Sequence, residues 1–308
     1  MTRLRAEPLS PIDAATLWPQ LHRVDTEIIA TRGGENLLVS SALAATGLTR
    51  LPRLAPIRRT AVIGLRQGVG YRGVLAAREL AGGAAWEVVT LRIRRDKDDD
   101  AVLALLDGIA HETMRRGGRS LFLRYAEGSP HADALRSGGI FPCRLERLYA
   151  VPLSASPSNG LFRPANRRDR HGIFRLYCHA VPEAVRRHEA STQQEWRAVL
   201  DACECRREHV LDRGASLAAW VGMGEREAHV MTDDTEGAPD AALDLVEAQL
   251  GHHGCLVIPQ HQPELERAAL GRGYTALGVR LMCVRNLAKR ISLKEVVAVP
   301  ADSMALPQ

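Results

Sequence analysis

Aromatic side chains make up only 4% of this 308-residue chain. No window holds the apolar run of about 20 residues that a membrane-spanning helix needs. The opening MTRLRAEPLSPID lacks the apolar core of a secretory signal, so a soluble cytoplasmic protein with no membrane partner is the expectation. Six cysteines spread over this length are too sparse for a disulfide framework. Metal motifs are missing as well. Cys203 and Cys205 have one residue between them, where zinc pairs have about two to four, and no second pair accompanies them. His252 and His253, with Cys255 and His261 downstream, sit on a chain leaving a helix, where neighbouring side chains diverge, so no metal is expected. Charge of one sign is not concentrated either. The 41 Lys and Arg residues against 36 Asp and Glu give a net charge of +5, and the arginines are scattered. Small basic clusters such as Arg186-Arg187-His188 lack interleaved aromatics and read as solvated helix faces, so a nucleic-acid partner is not expected.

What the chain does contain is a long repeat. Residues 119–151 read as an apolar strand (Leu121, Phe122, Leu123), Pro130, a short helix ending at Gly138-Gly139, and a closing strand reaching Tyr149. Residues 254–285 follow the same plan: Leu256-Val257-Ile258, Pro263, a short helix ending near Gly271 or Gly273, and a strand from Val279 to Val284. Laying Gly139 on Gly273 gives an offset of 134 residues between the two copies. The repeat predicts two related domains in tandem.

The segments upstream of each copy also match. Residues 9–50 predict a helical opening, with Asp13 as a cap, Leu17, Trp18 and Leu21 inside, and Val24, Ile28 and Ile29 continuing the apolar face. Strands are predicted at 60–65, 73–80 and 86–93, followed by a charged loop at 94–100. A helix is predicted over 101–116, with Val102, Leu105, Leu106, Ile109 and Met114 at helical spacing. Residues 68–73 form a literal G-x-G-x-x-G, but a strand follows where a dinucleotide site needs a helix, so a hairpin turn is the reading. After a Pro-, Ser- and Gly-containing stretch at 152–162, read as a linker, the order recurs. Helices are predicted over 163–200 with a break near Pro182, strands at 209–211, 216–221 and 227–231, an acidic loop at 232–237, and a helix over 239–250 with Pro239 in its first turn. The expected organisation is a domain at 1–151, the linker 152–162, a domain at 163–287 and a tail at 288–308.

This order of elements resembles the GNAT acyltransferase superfamily, twice in tandem, and so predicts an α/β fold with a mixed sheet. The resemblance rests on WEVVTLRI running into a loop and helix, on the endings Gly139-Ile140-Phe141 and Gly273-Tyr274, and on RPANRRDRHGIFRLY opening the second unit. It implies that acetyl-CoA or another acyl-CoA enters a gap where the fourth strand splays from the fifth. The pyrophosphate would lie on the following loop and helix N-terminus, where backbone N–H groups and the helix dipole suit an anion. In the first unit it places cofactor contacts at Leu91, Ile93, Asp99, Asp100, Ala101 and Val102. Glu87, on the fourth strand, becomes the candidate general base toward an amine; the bland alternative is a strand residue facing solvent or pairing with Arg92. Glu227 and His229 occupy similar ground in the second unit. The acceptor implied is a small-molecule or peptide amine.

Several residues depart from the family pattern. The first loop has no glycine and three successive aspartates, Asp98 to Asp100, where phosphates would dock. The second carries Asp233, Asp234 and Glu236 around one glycine, Gly237. The tyrosine that many family members use as general acid falls near Leu135 in the first copy and Ala269 in the second, and neither can give a proton. Three functional classes stay open: an N-acyltransferase working mainly by positioning, a non-catalytic binding or scaffold module, and a ligand sensor without turnover.

Overall fold

The computed structural model describes residues 6–9, 13, 24, 26–30, 60–68, 70–95, 98–152, 160–214, 216–233, 235–250 and 254–287. The N-terminal half contributes β1 (Glu7–Pro8), β2 (Thr26–Ala30), β3 (Thr60–Gln67), β4 (Gly70–Glu79), β5 (Ala85–Ile93), α1 (Asp99–Arg115), β6 (Ser120–Ala126), α2 (Ala132–Ser137) and β7 (Phe141–Ala150). The C-terminal half contributes β8 (Arg163–Pro164), a 3₁₀ turn (Arg167–Asp169), α3 (Arg170–Ala180), α4 (Glu183–Glu189), α5 (Gln193–Ala202), β9 (Arg207–Arg213), β10 (Ser216–Met223), β11 (Glu227–Thr232), α6 (Ala238–Leu250), β12 (Cys255–Pro259), α7 (Pro263–Gly271) and β13 (Thr275–Asn286). The predicted meanders, the helices from residue 101 onward and the repeat copies fall on these elements, while the predicted helical opening with Leu17, Trp18 and Leu21 lies outside the described residues. The G-x-G-x-x-G stretch is the β3–β4 hairpin, with Gly68 at φ +60° in its turn. One expectation is corrected. Ile28 and Ile29 lie on a strand, not on a continued helix, because their backbones pair with β5 and Ile29 enters the core. The linker expectation falls largely on 153–159, outside the described residues, as do His252, His253 and the tail from 288.

All strands join one 13-stranded sheet in the order β1-β3-β4-β5-β6-β13-β7-β12-β11-β10-β9-β8, with β2 pairing β5 off this path. Both halves run an antiparallel meander into a helix and then a parallel neighbour, β5 to β6 and β11 to β12. The closing strands are exchanged. β13, the last strand of the C-terminal half, pairs with β6, while β7 pairs with β12, and β7 and β13 pair with each other. In that central pair Glu146 faces Arg280, two residues that the 134-residue offset makes equivalent, so the pseudo-two-fold axis passes between them.

Helices cover both faces. Leu105, Leu106 and Ile109 of α1 pack on Ile63, Leu75, Leu91, Leu121 and Leu123. On the same face of the sheet, Leu243 and Val246 of α6 and Leu265 of α7 pack on Val230, Leu256, Ile258 and Tyr149. Helices α3 and α5 cover the opposite face, and their residues Leu176, Tyr177, Trp196 and Val199 reach across the axis to Phe122, Met282 and Val284. Asp201 at the end of α5 accepts from Ala81 N (2.9 Å), tying the C-terminal helices to the β4–β5 turn of the other half.

Candidate active site at two splayed strand pairs

A parallel pair whose strands diverge leaves backbone N–H and C=O groups without a ladder partner, and buried groups of that kind must be satisfied somehow. Both halves contain such a place. In the N-terminal half, β5 and β6 pair only at Ala85↔Ser120, Trp86↔Leu121 and Glu87↔Phe122, so β5 runs on to Ile93 without β6. In the C-terminal half, β11 and β12 pair at Glu227↔Cys255, Ala228↔Leu256 and His229↔Val257, and then Val230 to Thr232 diverge from Ile258 and Pro259.

The N-terminal gap is filled by the chain itself. Strand β2 lies antiparallel along β5, matching Thr26 with Ile93, Glu27 with Arg92, Ile29 with Leu91 and Ala30 with Thr90. On its other edge β5 pairs with β4. Leu91 and Ile93, the expected cofactor contacts on this strand, therefore have neighbouring strands on both sides. The helix N-terminus beyond them is also occupied. Asp98 accepts from Ala101 N through Oδ1 (3.2 Å), and its carbonyl takes Ala101 N and Val102 N. Its carboxylate is gripped by Arg72 with two contacts of 2.6 Å, a hydrogen-bonded pairing that holds the Asp98 carboxyl below the usual range. Asp99 bonds His131 Nδ1 at 2.9 Å, and Asp100 is exposed. Asp99, Asp100, Ala101 and Val102, the expected contacts here, thus stand at a helix N-terminus whose first amides bond to Asp98.

Glu87 is 1% exposed and belongs to a layer of charge buried under α3, α4 and α5. Its oxygens accept from Arg78 (2.7 and 3.0 Å) and Arg124 (2.8 Å). Burial pushes its carboxyl up, against the pull of Arg124 and Arg78. Both oxygens are engaged, so Glu87, the expected base, stands ion-paired in the core. Arg92, its alternative partner, bonds Glu27 instead. The layer continues through Arg144, which bonds Glu146 (2.5 Å) and Glu189 (2.6 Å), and through Arg280, which bonds Glu146 (2.6 Å) and Glu227 (3.1 Å). Burial raises the Glu146 carboxyl, but Arg280, Arg144 and Arg124 together bring it well below the usual range.

The C-terminal gap differs because, among the described residues, no strand enters it. A single side chain bridges it: Gln262 accepts from Thr232 N (3.3 Å) and Thr232 Oγ1 (3.4 Å) and donates to Val230 O (3.0 Å). Beside it, on the α3–α5 face, lies a cavity of about 40 Å³ bounded by residues including Tyr177, Trp196, Cys203, His229, His261 and Gln262. His229 Nε2 and both ring nitrogens of His261 are buried without a hydrogen-bond partner. Burial holds the His229 imidazole down to about 3, and burial with the nearby Arg144 holds His261 to about 4, so both rings are uncharged near neutral pH. Cys203 is no nucleophile, since burial pushes its thiol up to about 11. A larger groove of about 400 Å³ runs along the flank of α3 past Arg168, Arg175 and Asp233. Two of its carboxylates, Asp169 and Asp212, are already paired with Arg163, and it lies on the side of α3 away from the cavity. Among the described residues no group of three His, Cys, Asp or Glu side chains could hold a metal ion, and no helix is long and apolar enough to cross a membrane.

Sequence reasoning placed His229 on the fourth strand but gave no role to Gln262 or His261. Gln262 carried one usable signal, a polar residue between the strand's last Pro259 and the helix-opening Pro263. No protein-family model matches the chain, and no curated protein sequence does. Among solved structures, the fold is similar to a GCN5-related N-acetyltransferase from Sphaerobacter thermophilus, with a TM-score of 0.50, 14% identity, and 95% of this chain and 98% of that one covered. It also matches a tandem GNAT protein from the clavulanic acid biosynthesis pathway, with a TM-score of 0.46, 12% identity, and coverage of 94% and 100%. The internal repeat, the two splayed strand pairs and the first of these likenesses agree: the chain carries the GNAT acyltransferase fold twice in tandem.

Proposed function

We propose that the chain is an acyl-CoA-dependent N-acyltransferase whose working cleft is the C-terminal splay. In this reading residues 1–151 and 163–287 are its two units, and the N-terminal cleft is retained but closed by its own strand. The observation that carries it is the asymmetry between the gaps. A backbone strand fills one, while a single side chain spans the other, next to unpartnered, uncharged imidazoles. Buried polar atoms without partners cost about 1–3 kcal/mol each, so a ligand that satisfied them would be favoured.

The chemistry follows from those groups. With Gln262 displaced, Val230 C=O and Thr232 N–H are a backbone acceptor and donor aimed into the cleft. The pair suits the amide groups of an acyl-CoA's arm, which would hold the thioester beside the imidazoles. The lone pairs of His229 and His261 can accept N–H bonds from an uncharged amine and so orient it for direct attack. A ring held near 3 or 4 is too weak a base to strip an ammonium, so the amine would arrive deprotonated, and the reaction would quicken with pH as the acceptor loses its proton. Ala269, at the position expected for a general acid, supplies nothing. The departing thiolate would take its proton from solvent.

A second reading, a binding module without turnover, is favoured by Asp233 and Glu236 at the phosphate end of the same cleft. One titration separates the two. Acetyl-CoA should raise the melting temperature of the full chain at micromolar to millimolar concentration, and thiol release with a panel of primary amines should follow. Stabilisation without thiol release would leave the binding module, and no stabilisation at millimolar acetyl-CoA would remove both.

A further inference from the structure

We propose that Gln262 is a built-in surrogate for the ligand, a carboxamide that occupies the cleft in place of an extended amide chain and is displaced when one binds. This rests on reading the C-terminal splay as the ligand cleft. The pattern of its contacts is the argument. A residue added in parallel beside a strand uses the N–H and C=O of two successive peptide units, accepting from one backbone N–H and donating to the C=O two residues earlier. Gln262 does both with a single primary amide, accepting from Thr232 N (3.3 Å) and donating to Val230 O (3.0 Å). It is 6% exposed, so the strand edge it covers is otherwise dry. In the N-terminal half the corresponding edge of β5 is satisfied by the backbone of β2. The two halves answer the same unsatisfied edge in different ways, permanently by a strand and reversibly by a side chain.

The anchoring of Gln262 permits that reversal. Its backbone is fixed independently of the side chain, with Gln262 N donating to Pro259 O (3.0 Å) and its carbonyl accepting from Glu266 N (3.2 Å) as α7 begins. Rotation about the side-chain bonds alone withdraws the carboxamide, and no main-chain hydrogen bond breaks. Of the bonds it gives up, the two from Thr232 are long at 3.3 and 3.4 Å, and the one to Val230 O is of ordinary length at 3.0 Å. A ligand that enters must replace both the donor and the acceptor, so Gln262 selects for chains that carry two successive amides, one giving its N–H and the other its C=O, such as the pantetheine arm of an acyl-CoA. A nucleotide alone, or an apolar chain, leaves Val230 C=O and Thr232 N–H unpaired and is disfavoured.

The test compares the wild-type chain with Gln262→Ala and Gln262→Asn, the second retaining an amide too short to reach both partners. Calorimetric affinities are measured for acetyl-CoA, for pantetheine and for adenosine 3′,5′-bisphosphate. Removing the competitor should tighten acetyl-CoA and pantetheine by about tenfold in both variants and leave the bisphosphate unchanged, while the ligand-free proteins melt at lower temperature than the wild type. Equal acetyl-CoA affinity in all three proteins, or weaker binding in the variants, would overturn the surrogate role while leaving the acyl-CoA reading in place. No acetyl-CoA binding by any of the three at millimolar concentration would end both.

Discussion

His229 shows how burial alone decides what a residue can do. It is 7% exposed, lies 3.8 Å from Glu227, and is still held down to about 3 because desolvation outweighs the carboxylates nearby. The sign for stability follows. A histidine depressed in the folded state takes its proton first in the unfolded chain. Its contribution is therefore complete above the ordinary value of 6.5 and is lost as pH falls from there toward 3, by about 1.4 kcal/mol per pH unit. His261, held at about 4, adds a loss of the same sign. Glu146 and Glu227, both lowered from 4.5, begin to lose theirs only below that value, while Glu87 and Glu189, raised by burial, add a slope of opposite sign above it, so the histidine part is read from the difference between the wild type and a histidine variant. By urea unfolding, each of the two rings should account for a stability about 2 kcal/mol lower at pH 5 than at pH 7. His229→Gln should shallow the slope by one proton's worth. An unchanged slope in that variant would mean that water and protons reach the ring in the folded chain.

At the scale of elements, the N-terminus of α1 is held by a device the sequence half disclosed. Three aspartates at 98–100 were legible as a poor phosphate site, but their partners were not, because Arg72 and His131 lie 26 and 32 residues away and meet them only once β4 and α2 are folded. Asp98→Ala removes a helix cap and leaves the Arg72 guanidinium without its carboxylate, which should cost about 2 kcal/mol. Asp98→Asn keeps a capping oxygen and should cost about half as much, as thermal or urea unfolding would show. Equal costs would mean that the ion pair, and not the cap, carries the effect. The meanders, α1, α6 and both repeat copies were legible because periodicity is a local signal. Strand β2 was not, since Ile28 and Ile29 fit a helical stripe as well as a strand, and only the unsatisfied edge of β5 decides between them. The same holds for Gln262: a lone glutamine before a helix acquires meaning when the splay of β11 from β12 places two backbone groups within its reach.

At the scale of the whole molecule, the exchange of β7 and β13 ties the halves into one folding unit. Without the C-terminal half, β6 loses the partner that β13 provides along Ser120 to Ala126, and β7 loses β12. Two copies of the N-terminal half could pair their β7 strands about a two-fold axis in the register seen between β7 and β13, but that would set Glu146 against Glu146 where the intact chain sets it against Arg280. Glu146 is fully buried; each copy would keep Arg144 and Arg124 of its own half but would lose Arg280 and face a second buried carboxylate, at a cost of several kcal/mol. Two C-terminal halves would meet the converse problem at Arg280. The charges on the axis therefore specify one half of each kind. Residues 1–152 and 160–308, expressed separately, should each lack a cooperative unfolding transition and aggregate. Refolded together, they should form a one-to-one complex by light scattering, with the circular dichroism of the intact chain. A monomeric 1–152 fragment that unfolds in a single sharp transition would show that β6 does not need β13, and that the exchange is a convenience of the tandem chain and not a condition of its folding.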